Sequence, residues 1–243
     1  MSNCTLGYVY GLALFTLVCG GSPAAAVTIS PILIELTQQK NVASIRVLNN
    51  SDEAMTFQAE TLSWRQTGGE DRYAQTQDLL VAPPIARIAP NTIQIFRVTL
   101  RKSAPSDAEH AYRLVLEDIT TETAGEQGVI KMRFRHNLPL FSTPRQSAIV
   151  NSTWSRCVAP TGKACVQLEN QGNRRIRLSN VAVEGSGWRK DLKGGATVLA
   201  GASRQWMFDL RTNQFADSRE IRVTVTSDVG DIGKAVRLSE PTP

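Results

Sequence analysis

Val129-Ile-Lys-Met-Arg-Phe-Arg-His-Asn-Leu-Pro-Leu-Phe141 alternates apolar and basic side chains with a period of two. Ile130, Met132 and Phe134 fall on one face of an extended chain, and Lys131, Arg133 and Arg135 fall on the other. His136, Leu138 and Leu140 continue the first face. Such a strand has two uses. Its apolar face can fill the protein's own core, as most half-buried strands do. Alternatively, its edge can accept the backbone of a neighbouring chain while Ile130, Met132 and Phe134 enter successive pockets on that partner. The basic residues would keep such an edge soluble and steer an acidic partner toward it. Met132 adapts to imperfect pockets more readily than a branched side chain.

The same texture extends on both sides. Val27–Leu36 reads as a strand with Pro31 at an edge or bulge, because proline gives no ladder N–H. Further strands are expected at 43–48, 56–64, 79–82, 93–100, 112–119 and 129–140. Asn49-Asn-Ser-Asp52 marks a turn, and Gly68-Gly69 marks a hairpin loop. No ten-residue amphipathic helix separates them. The second half is looser, with strands expected at 166–168, 174–183, 197–199, 204–208 and 221–226, punctuated by Asn170-Gln-Gly-Asn173 and Gly185-Ser-Gly187. Short strands with regular turns imply an all-β protein built as sandwiches or barrels. Pro144 breaks the chain after the long strand, which suggests a first domain over 27–143 and a second over 144–243. One large sandwich is the alternative.

Residues 1–26 hold no charged side chain, and the apolar run at 12–18 leads into Gly20, Gly21, Pro23, Ala24 and Ala26. This is the pattern of a secretory signal cleaved before Val27. The run is short for a bilayer span, and Cys19 after Val18 is a poor lipidation signal. Cleavage would remove two of the four cysteines and leave Cys157 and Cys165, which in an oxidising compartment close a small disulfide loop. A zinc site would need ligands that are not nearby in sequence. Eight positions of separation are also unlike a redox-active CxxC. His110 and His136 are the only histidines in 243 residues, so a histidine-rich metal centre is excluded. No catalytic residue, metal site or cofactor is expected. The formal charge of +5 comes with scattered aromatics and a signal segment, a poor fit to nucleic-acid binding.

In order and spacing, a set of short motifs resembles the periplasmic chaperones of pilus assembly by the chaperone–usher route. They are Ile29-Ser-Pro-Ile-Leu-Ile-Glu-Leu36, Val47-Leu-Asn-Asn50, Asp78-Leu-Leu-Val-Ala-Pro-Pro84, Ile88-Ala-Pro-Asn91, Gln94-Ile-Phe-Arg-Val98, Tyr112-Arg-Leu-Val-Leu-Glu-Asp118 and Leu138-Pro-Leu-Phe141. The first looks like the archaic branch of that family. The resemblance implies two immunoglobulin-like β-sandwich domains of PapD-like architecture, located in the periplasm without a membrane anchor. It implies pilus or fimbrial subunits and an outer-membrane usher as partners, and no enzymatic activity. It also implies donor-strand complementation, in which Ile130, Met132 and Phe134 are lent to a subunit's exposed groove. A secreted pilus subunit or adhesin with immunoglobulin-like domains is the competing reading, and a secreted glycosidase a distant third.

The chain departs from that family at one point. Members hold the subunit's terminal carboxylate with an Arg in the first strand and a Lys near the end of the donating strand. The matching positions here are Leu33, or Pro31, and Pro139. Arg113, Arg133 and Arg135 are the candidate substitutes. Trp64, Trp154, Trp188 and Trp206 read as packing residues. Glu60, Glu117 and Asp118 lack any spacing that would make them acid–base partners. Lys163 and the pair Arg174-Arg175 read as solvated charges at loops or strand ends.

Overall fold

The computed structural model describes residues 26–101, 107–120, 133–192, 194–210, 215, 220–230 and 235–236. The first half carries ten strands: β1 (Val27–Ser30), β2 (Ile34–Leu36), β3 (Val42–Asn49), β4 (Met55–Thr67), β5 (Glu70–Gln75), β6 (Leu79–Ala82), β7 (Ile85–Ile88), β8 (Ile93–Leu100), β9 (His110–Asp118) and β10 (Arg135–Ser142). They form two sheets. One has the order β1-β3-β8-β6; the other has β2-β10-β9-β4-β5, with β7 also on β4. Between them lie Ile34, Leu36, Ile45, Val47, Phe57, Phe96, Val98, Leu114, Leu116, Leu138 and Leu140, the inward members of each alternation. Leu138 and Leu140 thus take the first of the two uses open to their face.

The opening stretch is not one strand with a bulge. It serves both sheets: β1 runs antiparallel to β3, while β2 runs parallel to β10 through Ile34↔Leu140 to Leu36↔Ser142. The change of sheet falls at Pro31, where no N–H has to be matched, and the Ser30–Pro31 peptide is cis. Ile34 and Leu36 can then face the shared core from the second sheet.

The second half carries β11 (Ser152–Arg156), β12 (Lys163–Asn170), β13 (Ile176–Gly185), β14 (Trp188–Leu192), β15 (Ala196–Val198), β16 (Ser203–Asp209), β17 (Ile221–Ser227) and β18 (Ala235–Val236). Sheet β11-β12-β16 packs against β14-β13-β17-β18, with β15 on β13, around Val166, Leu168, Ile176, Val183, Val198, Val223 and Val225. Trp154 lies tilted against Trp206 with ring centroids 5.4 Å apart, and Trp188 meets Phe208 and Phe215. Cys157 and Cys165 are disulfide-bonded across the end of the β11–β12 hairpin, with their Cα atoms 5.0 Å apart. By restricting an eight-residue separation in the unfolded chain, the bond contributes about 2–3 kcal/mol. Urea titration with and without dithiothreitol should show that loss in the second half's transition.

The two halves repeat one buried device. Asn49, at the end of β3, donates from Nδ2 to the carbonyls of Glu53, Ile88 and Ala89, while its Oδ1 accepts from Ser51 N at 3.0 Å. Asn170, at the end of β12, donates to the carbonyls of Arg174, Val198 and Leu199, and its Oδ1 accepts from Gly172 N at 3.0 Å. The matching tight turns, closed by Thr92 N→Ala89 O and Ala202 N→Leu199 O, contain Asn91 and Gly201 at φ 55° and 68°.

The halves meet along the outer face of the β10-β9-β4 sheet. Trp64, Ala111 and Phe141 pack on Leu199 of the second half, with Leu33 and Ala202 at the margin. The β4–β5 hairpin reaches across: Gln66 Nε2 donates to Thr197 O at 2.8 Å, and Leu199 N donates to Gln66 Oε1 at 2.9 Å. Arg175 is no solvated charge. Its side chain is 9% exposed and bridges to Glu109 (2.5 Å, 1% exposed) and to Glu35, with its guanidinium 3.8 Å above the Phe141 ring. Both carboxylates belong to the first half. Sequence placed Arg175 at a strand end correctly, but its partners lie 66 and 140 positions away.

Candidate functional site

β10 is covered unequally on its two edges. On one side it pairs with β9 along its whole length, from Arg135↔Glu117 to Ser142↔His110, and Asp118 N extends the ladder by donating to Phe134 O at 2.9 Å. On the other side β2 covers only Leu140–Ser142. Among the described residues, no strand pairs with that edge from Arg135 to Pro139. An uncovered run of backbone of this kind is where a further strand can add.

Phe134 stands just before β10, is 38% exposed, and stacks on His136 with ring centroids 6.1 Å apart. His136 Nε2 is buried without a hydrogen bond, and burial lowers the pKa of the ring, favouring its neutral form. Ile130 and Met132 lie outside the described residues.

The three basic candidates occupy different places. Arg133 and Arg135 are exposed. Arg135 pairs with Glu60 at 3.0 Å and Glu117 at 3.6 Å across the outer face of the sheet, which accounts for two of the carboxylates noted in the sequence. Asp118, the third, is buried and accepts from Thr120 N at 2.9 Å.

Arg113 lies opposite Pro139 in the β9–β10 register, half-buried, with its guanidinium 3.8 Å over the Trp64 ring and 5.8 Å from that of Tyr73. It faces a cavity of about 440 Å³ between the halves, which is also lined by Asp71, Arg177, Thr197 and Arg204. Leu33 packs at the hydrophobic cluster of Trp64, Phe141 and Leu199, so no cation stands there or at Pro139. Arg177 and Arg204 were not singled out from sequence, because their strands read as ordinary surface alternation. Among the described residues, no group of three His, Cys, Asp or Glu side chains is arranged to hold a metal ion. None of the described helices is long and apolar enough to cross a membrane.

Two sandwiches joined by a buried interface, with an incompletely covered last strand in the first, define a chaperone fold known from solved structures. A chain in the CsuC–CsuE chaperone–tip adhesion subunit pre-assembly complex, from archaic chaperone–usher Csu pili of Acinetobacter baumannii, is similar with a TM-score of 0.66 and 19% identity. That match covers 90% of this chain and 100% of that one. The YadV chaperone is similar with a TM-score of 0.62 and 17% identity, covering 88% and 100%. A chain of the Salmonella enterica SafA pilin–SafB chaperone complex gives 0.59 and 16%, covering 88% and 98%. A search of curated protein sequences finds no match. Residues 26–148 match the family described as "Pili and flagellar-assembly chaperone, PapD N-terminal domain". The chain belongs to that family of pilus-assembly chaperones.

Proposed function

We propose that the protein is a periplasmic chaperone that captures a pilus subunit by donor-strand complementation and passes it to an outer-membrane usher. In this reading residues 1–26 are a signal peptide, 27–143 form the donating domain and 144–243 the second domain. The observation that carries the proposal is the uncovered edge of β10 from Arg135 to Pro139, with Phe134 exposed at its head. An incomplete sandwich supplied with this edge gains a backbone partner and an apolar plug together, and neither gain needs a cofactor or catalytic residue. Ile130, Met132 and Phe134 are the side chains lent. Arg133 and Arg135 meet the subunit's polar rim, and Arg113 waits deeper, beside Pro139. The likeness of the chain to one chain of the SafA pilin–SafB chaperone complex supports a pilus subunit as its partner.

The test is Met132→Asp combined with Phe134→Asp in cells co-expressing the subunit. Burying two carboxylates in apolar pockets should abolish the one-to-one complex and leave the subunit degraded, while the chaperone itself is recovered folded. Undiminished recovery of the subunit in complex would refute the assignment.

A further inference from the structure

We infer that the outer face of the β1-β3-β8-β6 sheet is a contact surface for an anionic lipid bilayer. Ile45, Val47, Phe96 and Val98 take the core, so the pleat turns residues 42, 44, 46 and 48 of β3 and 93, 95, 97 and 99 of β8 outward. β1 adds Thr28 and Ser30 to that face, and β6 adds Leu80 and Ala82. Among the described residues the face carries no acidic side chain. Its charges are Arg46 and Arg97, both exposed. Arg46 lies opposite Ile95 and Arg97 opposite Ser44, so the two are diagonal neighbours, near enough to repel. Neither is paired with a carboxylate among the described residues. The other sheet of the same sandwich is built differently: Arg72 there is paired with Glu70, and Arg135 with Glu60 and Glu117.

Aliphatic side chains share the face with this unbalanced charge. Val42, Thr99 and Leu80 form one row across β3, β8 and β6, with Val42 43% and Leu80 52% exposed. Lys40, just before β3, and Arg101, just after β8, stand exposed at that same end. The carboxylate nearest in sequence there, Asp78, accepts from the Tyr112 hydroxyl at 3.1 Å and so is turned toward the other sheet. Asp52 and Glu53, in the turn after β3, belong to the opposite end. Exposed aliphatic groups among unpaired cations are complementary to anionic headgroups: the cations meet phosphate, and the aliphatic tips enter the acyl boundary. A second copy of the chain fits poorly, because a two-fold contact would bring the arginines of both copies together. The face is about 15 Å wide from β1 to β6, which suits a broad surface. β10 lies in the other sheet, so a bilayer on this face leaves its uncovered edge open. The inference does not need the chaperone reading.

Co-sedimentation of the exported, processed protein with equimolar phosphatidylglycerol–phosphatidylcholine vesicles, against pure phosphatidylcholine vesicles, reads the surface directly. The wild type should sediment with the first and not with the second. About 0.5 M sodium chloride should release it, since screening then shortens the reach of the charges to a few ångströms. The Arg46→Gln/Arg97→Gln double variant, altered only at exposed positions, should fold as the wild type does and lose about tenfold in lipid affinity. Arg72→Gln/Arg189→Gln, which removes two exposed charges elsewhere, should keep the full affinity. Leu80→Ser should lose about fivefold with no change of charge. Equal losses in the two double variants would mean that net charge alone attracts the lipid, and would overturn the inference. So would a wild type that sediments with neither vesicle, the result expected if the face meets an acidic protein instead. Full retention by Leu80→Ser would likewise overturn it, because no aliphatic group would then enter the bilayer. Subunit capture is not read in this assay, so its outcome and that of the donor-strand test are independent.

Discussion

Arg175→Ala will cost the protein about 3–5 kcal/mol, the largest loss expected from any single side chain at the junction of the halves. The substitution strands the Glu109 carboxylate, which is 1% exposed and takes both the Arg175 Nη1 proton at 2.5 Å and the Arg175 backbone N–H at 3.1 Å. It also removes the guanidinium that lies on Phe141 and reaches Glu35. Burial pushes the Glu109 carboxyl above its ordinary value, while the Arg175 charge pulls it down without winning. The folded state therefore holds the Glu109 proton more tightly than the unfolded chain does. The stability linked to that proton is complete below the usual carboxylate pKa and is lost as pH rises through the raised value. Glu109→Gln should flatten that decline. Calorimetry across pH checks both statements, and an Arg175→Ala midpoint within about 2 °C of wild type would contradict the first.

The second large effect is expected at the paired asparagines. Asn49→Ala leaves the carbonyls of Ile88 and Ala89 without their side-chain donor, and Asn170→Ala does the same to Val198 and Leu199. Each should cost about 2–4 kcal/mol, since buried polar groups are left unmatched. Aspartate should be worse than alanine at both sites, because it turns an acceptor toward carbonyls that need a donor. The two costs should add, as the residues sit in separate sandwiches with no common partner. Urea midpoints of the two single variants and the double variant measure this. A tolerated aspartate at either position would show that the clamp does not hold the turn.

Most of the first sandwich could be read in advance because its core residues alternate with the pleat. Ile93–Leu100 and Leu79–Ala82 are strands with the bounds expected from sequence. The sheet change at Pro31 was hidden, since a period-two pattern looks the same whether one sheet receives it or two. Asn170-Gln-Gly-Asn173 read only as a turn, although its Asn170 does what Asn49 does. β11 and β14 were missed because Ser152–Arg156 and Trp188–Leu192 alternate weakly around polar residues. At the site, Phe134 and the strand that follows it were visible locally. The cavity was not, because Arg113, Arg177 and Arg204 come from three strands whose meeting depends on how two domains dock.

β2 has a consequence for any partner that uses the free edge. Its three residues occupy the β10 edge from Leu140 onward, in parallel register, and Ile34 and Leu36 are anchored in the core at 1% and 0% exposure. An incoming strand can run alongside Phe134 and on toward Pro139, but there it meets Ile34 and must stop. The protein thus carries its own end-stop, and the length of backbone a guest can zip up is set by the host's own Ile34–Leu36 rather than by the guest.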